Sequence, residues 1–205
     1  MALGIADLIQ QIKNCSLCEI RKYGIIPPER LGNPYAKAMI IGRNPSLEAI
    51  RLGHQWPAGR TIVRSAFRQA LSELKMDGEL EDYFWMTDLV KCGTPKNEPP
   101  GSKELANCKR FIKREIEVLK PRFIIAFGRD SWNFLKREYR PVETNPSPEI
   151  TGVHTHGGWR IIEFKEGFKA IPLIHPSRAQ SRIDLHTYEK HVRRAFIFIL
   201  RELQG

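Results

Sequence analysis

KAMIIGRNPS, residues 37–46, decides the architecture. A short apolar run closes on Gly42 and turns polar at once. That pattern suits a strand buried on both faces whose C-terminal end opens into a polar loop. Three more segments read the same way: YFWMTDLVKC at 83–92, RFIIAFG at 122–128 and FKAIPLIHPS at 168–177. The first is rich in aromatic and β-branched residues, which favour strands. Amphipathic helices are predicted between and around them, at about 60–75, at 103–119, from the third strand to about 138, and at about 186–203. A further helix at 2–13 places Leu3, Ile5, Leu8, Ile9 and Ile12 near one face. The stretches after Gly42, at 24–36, at 93–102 and at 140–158 are loops by their proline and glycine content. WRIIEF at 159–164 pairs as an extra strand or hairpin arm.

Alternating strands and helices predict an α/β protein: a three-layer α/β/α sandwich around a mostly parallel four-stranded sheet. Residues 1–205 contain no linker, repeat or low-complexity segment, so one domain is expected. In such sheets the site lies outside the C-terminal strand ends. Those ends carry Gly42-Arg43-Asn44-Pro45-Ser46, Asp88, Gly128 and His175-Pro176-Ser177.

Composition narrows the class. Hydrophobic residues make up 41% of the chain, as in ordinary globular proteins. No apolar run approaches the roughly 20 residues that a membrane span needs. The N-terminal segment turns polar too early for a signal peptide. An intracellular, cytoplasmic and nucleoid-associated protein without a membrane partner is expected. The formal net charge of +10 points to a polyanionic partner, of which nucleic acid is the commonest.

The chain has four cysteines: Cys15 and Cys18 as a C-x-x-C pair, then Cys92 and Cys108. Disulfides are unlikely in a reducing compartment, so metal ligation or catalysis is the better use of these thiols. Structural zinc sites usually draw on two close ligand pairs, whereas Cys92 and Cys108 have fifteen residues between them. An iron–sulfur cluster accepts ligands from separated loops. Spacing alone leaves both metals open. His154 and His156 resemble a metal pair but have no acidic partner nearby, and they read better as a polar loop.

Taken in order, these motifs resemble the uracil-DNA glycosylase superfamily, specifically its iron–sulfur (family 4) branch. That branch has a C-x-x-C near its N-terminus and two later cysteines about fifteen residues apart, matched here by Cys15, Cys18, Cys92 and Cys108. Its G-E-x-P-G motif corresponds to Gly42-Arg43-Asn44-Pro45-Ser46. Its T-N-x-V-K-C strand end corresponds to Thr87-Asp88-Leu89-Val90-Lys91-Cys92, its L-G to Phe127-Gly128, and its H-P-S to His175-Pro176-Ser177. The resemblance implies a [4Fe–4S] cluster with a structural or DNA-docking role, a DNA partner and a monomeric state.

Two positions depart from the branch. Arg43 stands where it carries a catalytic Glu, and a basic residue cannot be that acid. The Gly-x-Asn-Pro order is instead closer to the mismatch-specific uracil/thymine branch, whose Asn positions the attacking water, so Asn44 inherits that role. Asp88 stands where the family has an Asn that reads the polar edge of uracil. Asn offers a donor and an acceptor, whereas an ionised Asp offers acceptors only. Asp88 thus either reads a base edge or supports the developing sugar cation.

The resemblance makes His175 the donor to the base oxygen that gains charge, and places Gly42 and Arg43 against the base. Trp56 becomes the aromatic that stacks on the extruded base, and Ser177 and Arg178, with Arg182, become phosphate contacts. Lys91, Lys109, Arg110, Lys113 and Arg114 form a basic group around Cys92 and Cys108. The expected function is a monofunctional DNA glycosylase of base excision repair, acting on uracil by default, with hypoxanthine or another base within reach of the Asn44 and Asp88 changes. The alternative is a non-catalytic iron–sulfur protein that recognises damaged or single-stranded DNA on the same fold.

Overall fold

The computed structural model describes residues 3–56, 61–142, 161–179 and 184–205. His154, His156 and Arg182 lie outside the described residues. Five strands form one sheet: β1 Ala38–Gly42, β2 Phe84–Asp88, β3 Phe123–Phe127, β4 Ile162–Glu163 and β5 Lys169–Leu173, in the order β2-β1-β3-β5-β4. The first three and β5 are parallel. The short β4 runs antiparallel to β5, so the sheet has five strands rather than the expected four. The extra strand is the WRIIEF arm. It folds back through a turn in which Gly167 adopts φ 90° and Phe164 N–H donates to Phe168 C=O at 2.9 Å.

Side-chain alternation along the strands builds two cores. Met39, Ile41, Trp85, Ile124 and Ala126 face α1 (Leu3–Lys13), α5 (Ser102–Leu119) and α6 (Gly128–Glu138). Ile40, Phe84, Met86, Ile125, Phe127 and Leu173 face α3 (Ile62–Leu74) and α8 (Leu185–Gln204). Helices therefore cover both faces, as the nearly unbroken apolar strands require. On the second face Phe67, Phe84 and Phe196 pack edge to face, with centroids 5.2–6.1 Å apart.

The described residues also include the short α-helices α2 (Leu47–Leu52), α4 (Leu80–Tyr83) and α7 (Pro176–Ala179). Helix α2 occupies what was expected to be loop. Ser46 caps it by accepting from Ala49 N–H, and Gly53 ends it in the left-handed region at φ 72°.

Strand β2 stops at Asp88, four residues short of the expected end. Beyond it Leu89 and Val90 N–H still reach the C=O groups of Gly42 and Arg43, but Lys91 turns back into the protein. Its ammonium donates to Thr87 Oγ1 at 2.6 Å, to Asp88 C=O at 2.8 Å and to Glu115 at 2.6 Å. Glu115, on α5, is wholly buried and also accepts from Thr87 and from Trp85 Nε1. Removing one partner of a buried ion pair typically costs about 3–5 kcal/mol. Glu115→Ala is therefore expected to lower the thermal midpoint by about 10 °C, read by calorimetry, at roughly 2–4 °C per kcal/mol for a chain of this size.

Candidate functional site

The parallel register brings the predicted residues to one edge. Gly42 pairs with Asp88 across β1 and β2. A Cβ at position 42 would stand 2.3 Å from Asp88 Oδ1, so only glycine lets the Asp88 side chain lie over β1. Arg43 follows, and its guanidinium reaches 3.7 Å from Asp130 in the first turn of α6. Gly128, at φ 89°, starts that helix, and a Cβ there would meet His175 Cβ at 3.2 Å. The contacts thus run from Asp88 through Gly42–Arg43 and Gly128–Asp130 to His175, across four strand ends.

Asn44 is held on both sides of its amide. Its oxygen accepts from Arg43 Nε at 3.1 Å, and its nitrogen donates to Thr94 Oγ1 at 3.1 Å. Arg43, which cannot serve as an acid, thereby fixes the direction of the Asn44 carbonyl. His175 is oriented by Ser177: the Ser177 N–H donates to Nδ1 at 3.3 Å, with Ser177 Oγ 2.8 Å away. An Nδ1 that accepts leaves the ring proton on Nε2. Behind it the buried Tyr188 hydroxyl donates to Ile174 C=O at 2.6 Å and pins the β5 exit to α8.

Asp88 is 4% exposed. Its Oδ2 accepts a short hydrogen bond from Gln55 Nε2. Both residues line a small pocket with Ile12, Ile26, Pro45 and Lys91. Burial dominates its titration and pushes the carboxyl up to about 7, while Gln55, Lys91 and Arg43 pull against it and Glu115 adds to it.

Trp56 sits at the same edge but is buried, its ring 5.5 Å from that of Phe127. Its φ of 43° lies in the left-handed region, which a bulky residue rarely adopts. Arg64 on α3 holds it there, donating to the carbonyls of Gln55 and Trp56 while its fork pairs with Glu81. Arg64 and Gln55 were not singled out in the sequence. The signal was a basic residue on the apolar face of an amphipathic helix.

Ser177 is exposed at the start of α7, whereas the Arg178 side chain lies outside the described residues. The basic group near the later cysteines is partly spoken for. Lys91 is buried and ion-paired, so it is not a surface contact. Lys109 and Lys113 pair with Glu138, and Arg114 with Glu117, through exposed contacts that contribute little and leave the charges accessible.

The four cysteines approach one another from three segments. Cys15 packs against the core that contains Cys92 and Cys108. Asn107, next to Cys108 on α5, donates to Cys18 Sγ at 3.2 Å. Cys92 bridges to Ile25 in antiparallel fashion, and Gly93 N–H donates to Gly24 C=O at 3.1 Å. Burial and then Cys108 push the Cys92 thiol up to about 11, with Cys15 adding to the repulsion; Cys108 is raised mainly by burial, with Cys15 and Cys18 both contributing. Among the described residues no group of His, Cys, Asp or Glu is arranged to hold a single metal ion. Four thiols from three segments make an all-sulfur donor set of the kind an iron–sulfur centre takes, and such a centre ionises its thiol ligands on binding.

Residues 29–197 match the family profile described as the uracil DNA glycosylase superfamily. The chain belongs to that superfamily. A type-4 uracil-DNA glycosylase of Saccharolobus solfataricus is 29% identical over 177 residues, covering 85% of this chain and 75% of that protein. One from Pyrobaculum aerophilum is 31% identical over 128 residues, covering 62% of this chain and 61% of that protein. One from Thermotoga maritima is 25% identical over 174 residues, covering 82% and 79%. Among the described residues no helix is long and apolar enough to cross a membrane.

In a superfamily member with Asp88 at this strand end, the raised carboxyl has a stability consequence. Its folded pKa, about 7, stands above the ordinary 3.8. The folded protein holds this proton more tightly than the unfolded chain, so the contribution is full below about pH 4 and is lost as the pH rises through about 7. The denaturant midpoint of the wild type is expected to fall across that window, and Asp88→Asn is expected to flatten the fall.

Proposed function

We propose that the chain is a monofunctional DNA glycosylase that hydrolyses the N-glycosidic bond of uracil in DNA, in base excision repair. Residues 1–205 act in this reading as one monomeric unit, intracellular and nucleoid-associated. The observation that carries it is the placement of His175 and Asp88 at opposite ends of one row of strand termini, with Asn44 between them. From β2 to β5 is three strand spacings, about 14 Å at the backbone. Superfamily membership and relatives named for uracil removal support the choice of base. They do not extend to hypoxanthine or to a silent binding protein.

The reaction requires an extruded nucleotide. As the C1′–N1 bond breaks, its electron pair passes to the base and the sugar becomes a cation. His175 Nε2–H donates to the base oxygen that gains charge, a preorganised donor that needs no reorganisation in the transition state. Asn44, its carbonyl aimed by Arg43, accepts from the water that attacks C1′. Asp88 reads the base edge, and Gly42, having no Cβ, leaves room for the Asp88 side chain to lie there. Trp56, with Phe127 behind it, presents an aromatic wall to the base. Ser177 and Arg178 contact phosphate beside the extruded nucleotide. No lysine is placed as a Schiff-base nucleophile among the described residues, so strand cleavage is not expected.

Cys15, Cys18, Cys92 and Cys108 hold a [4Fe–4S] cluster in this reading. When bound, that cluster supplies a cross-link between the N-terminal segment, the β2 exit and α5. Protein purified without oxygen is expected to be brown with broad visible absorption, and Cys108→Ser to lose the colour; a colourless wild type containing zinc would contradict the assignment.

Under single-turnover conditions, Asn44→Ala and His175→Ala are each expected to slow uracil release by about 10²–10³-fold, the usual effect of losing one preorganised group. Wild-type rates in both variants would remove these two residues from the mechanism.

A further inference from the structure

We propose that Asp88 reads uracil as a neutral carboxylic acid, its O–H and C=O standing in for the two ends of a carboxamide, and that base recognition is therefore lost as the acid ionises. The proposal rests on the uracil-glycosylase reading and specifies how that site recognises its base.

The surroundings of the carboxyl carry the argument. Among the described residues its one hydrogen-bond partner is the neutral Gln55 amide, itself buried. Among the described residues no cation pairs with the carboxylate oxygens. The Lys91 ammonium spends its three donors on Thr87, Glu115 and the main-chain carbonyl of Asp88. The Arg43 guanidinium points to Asn44 and Asp130. Through space the Lys91 and Arg43 charges favour ionisation, but burial outweighs them, and Glu115 on α5 adds to the opposition. A buried carboxyl with no paired charge is held as the acid. Its raised pKa follows from the same burial.

The neutral form changes what Asp88 can read. The outer edge of uracil presents a carbonyl acceptor, O4, beside an N3–H donor. An ionised carboxylate would repel O4, whereas the neutral acid offers one donor and one acceptor, as Asn does. A carboxylic acid is less specific than an amide, because its proton can sit on either oxygen. Gln55 removes that ambiguity. Its amide nitrogen donates to Oδ2, and the carbonyl oxygen of an acid is the stronger acceptor, so the proton belongs on Oδ1 over Gly42. Gln55 is thus a positioning residue that fixes which oxygen donates, and with it the discrimination against cytosine, whose edge has the opposite order.

The test is equilibrium binding, by the cluster-loaded protein, of an oligonucleotide carrying 2′-fluoro-2′-deoxyuridine, which resists cleavage. Its affinity is divided by that for the same strand with 2′-fluoro-2′-deoxycytidine, whose edge has the opposite donor and acceptor order, from pH 5.5 to 9. Apparent affinity scales with the fraction in the competent form. For a group titrating near 7, the wild-type preference is expected to fall about thirtyfold by pH 8.5. Asp88→Asn is expected to lose that pH dependence, and Gln55→Ala to narrow the margin over cytosine. A wild-type preference that stays constant with pH while uracil is still released overturns the role of Asp88 alone. No preference for uracil at any pH, with no uracil released, overturns it together with the glycosylase reading.

Discussion

The buried Lys91–Glu115 ion pair is the interaction on which the site depends. Two charges held inside a protein cost several kcal/mol of desolvation each, so such a pair is a poor source of net stability. Its value here is in placement. Each of the three ammonium donors has an acceptor, and the Glu115 oxygens take Thr87, Trp85 and Lys91. This full set of partners forces β2 to end at Asp88 and the chain to bend. Asp88 is thereby set over Gly42, and Cys92 emerges facing α5. Glu115 lies two helical turns beyond Cys108 on the same helix, so one buried contact registers the end of β2 and a cysteine pair together.

A second buried charge does the same from the opposite face. Arg64 ties Gln55 and Trp56 to Glu81 and keeps Trp56 in a conformation that a tryptophan alone would leave. The consequence reaches Asp88, because Gln55 is its partner. The carboxyl thus stands between two rigid systems: a buried ion pair that satisfies itself without touching the carboxylate, and an arginine clamp that presents a neutral amide. Its chemistry follows from being excluded from both sets of charges.

Much of this was legible in the chain. The four long apolar runs became parallel strands because each ends in a residue that permits the turn: Gly42, Asp88, Gly128 and the Ile174–His175 exit. Strand-end logic placed Asp88, Asn44 and His175 on one edge before any contact was known. Helix α2 was missed although Ser46 and Gly53 mark its two ends, because only six residues lie between and apolar periodicity needs more. The fifth strand was expected as an extra strand or hairpin arm but not counted among the four of the sheet, since two paired residues leave little pattern. Lys91 was misplaced for a physical reason. Its sequence neighbours are apolar or cysteine, yet a lysine reads as surface unless its buried acid is known, and Glu115 lies 24 positions away. Long-range pairs of this kind, like Arg64 with Gln55, leave no local signature.

The central claim is that this edge removes uracil. Release of free base from single- and double-stranded oligonucleotides carrying uracil, hypoxanthine, xanthine, thymine opposite guanine, or an oxidised base, with alkali to reveal abasic sites, tests it most directly. The account predicts abasic sites at uracil, with no strand cleavage before alkali. Intact strands throughout, with the cluster present and DNA still bound, would contradict it.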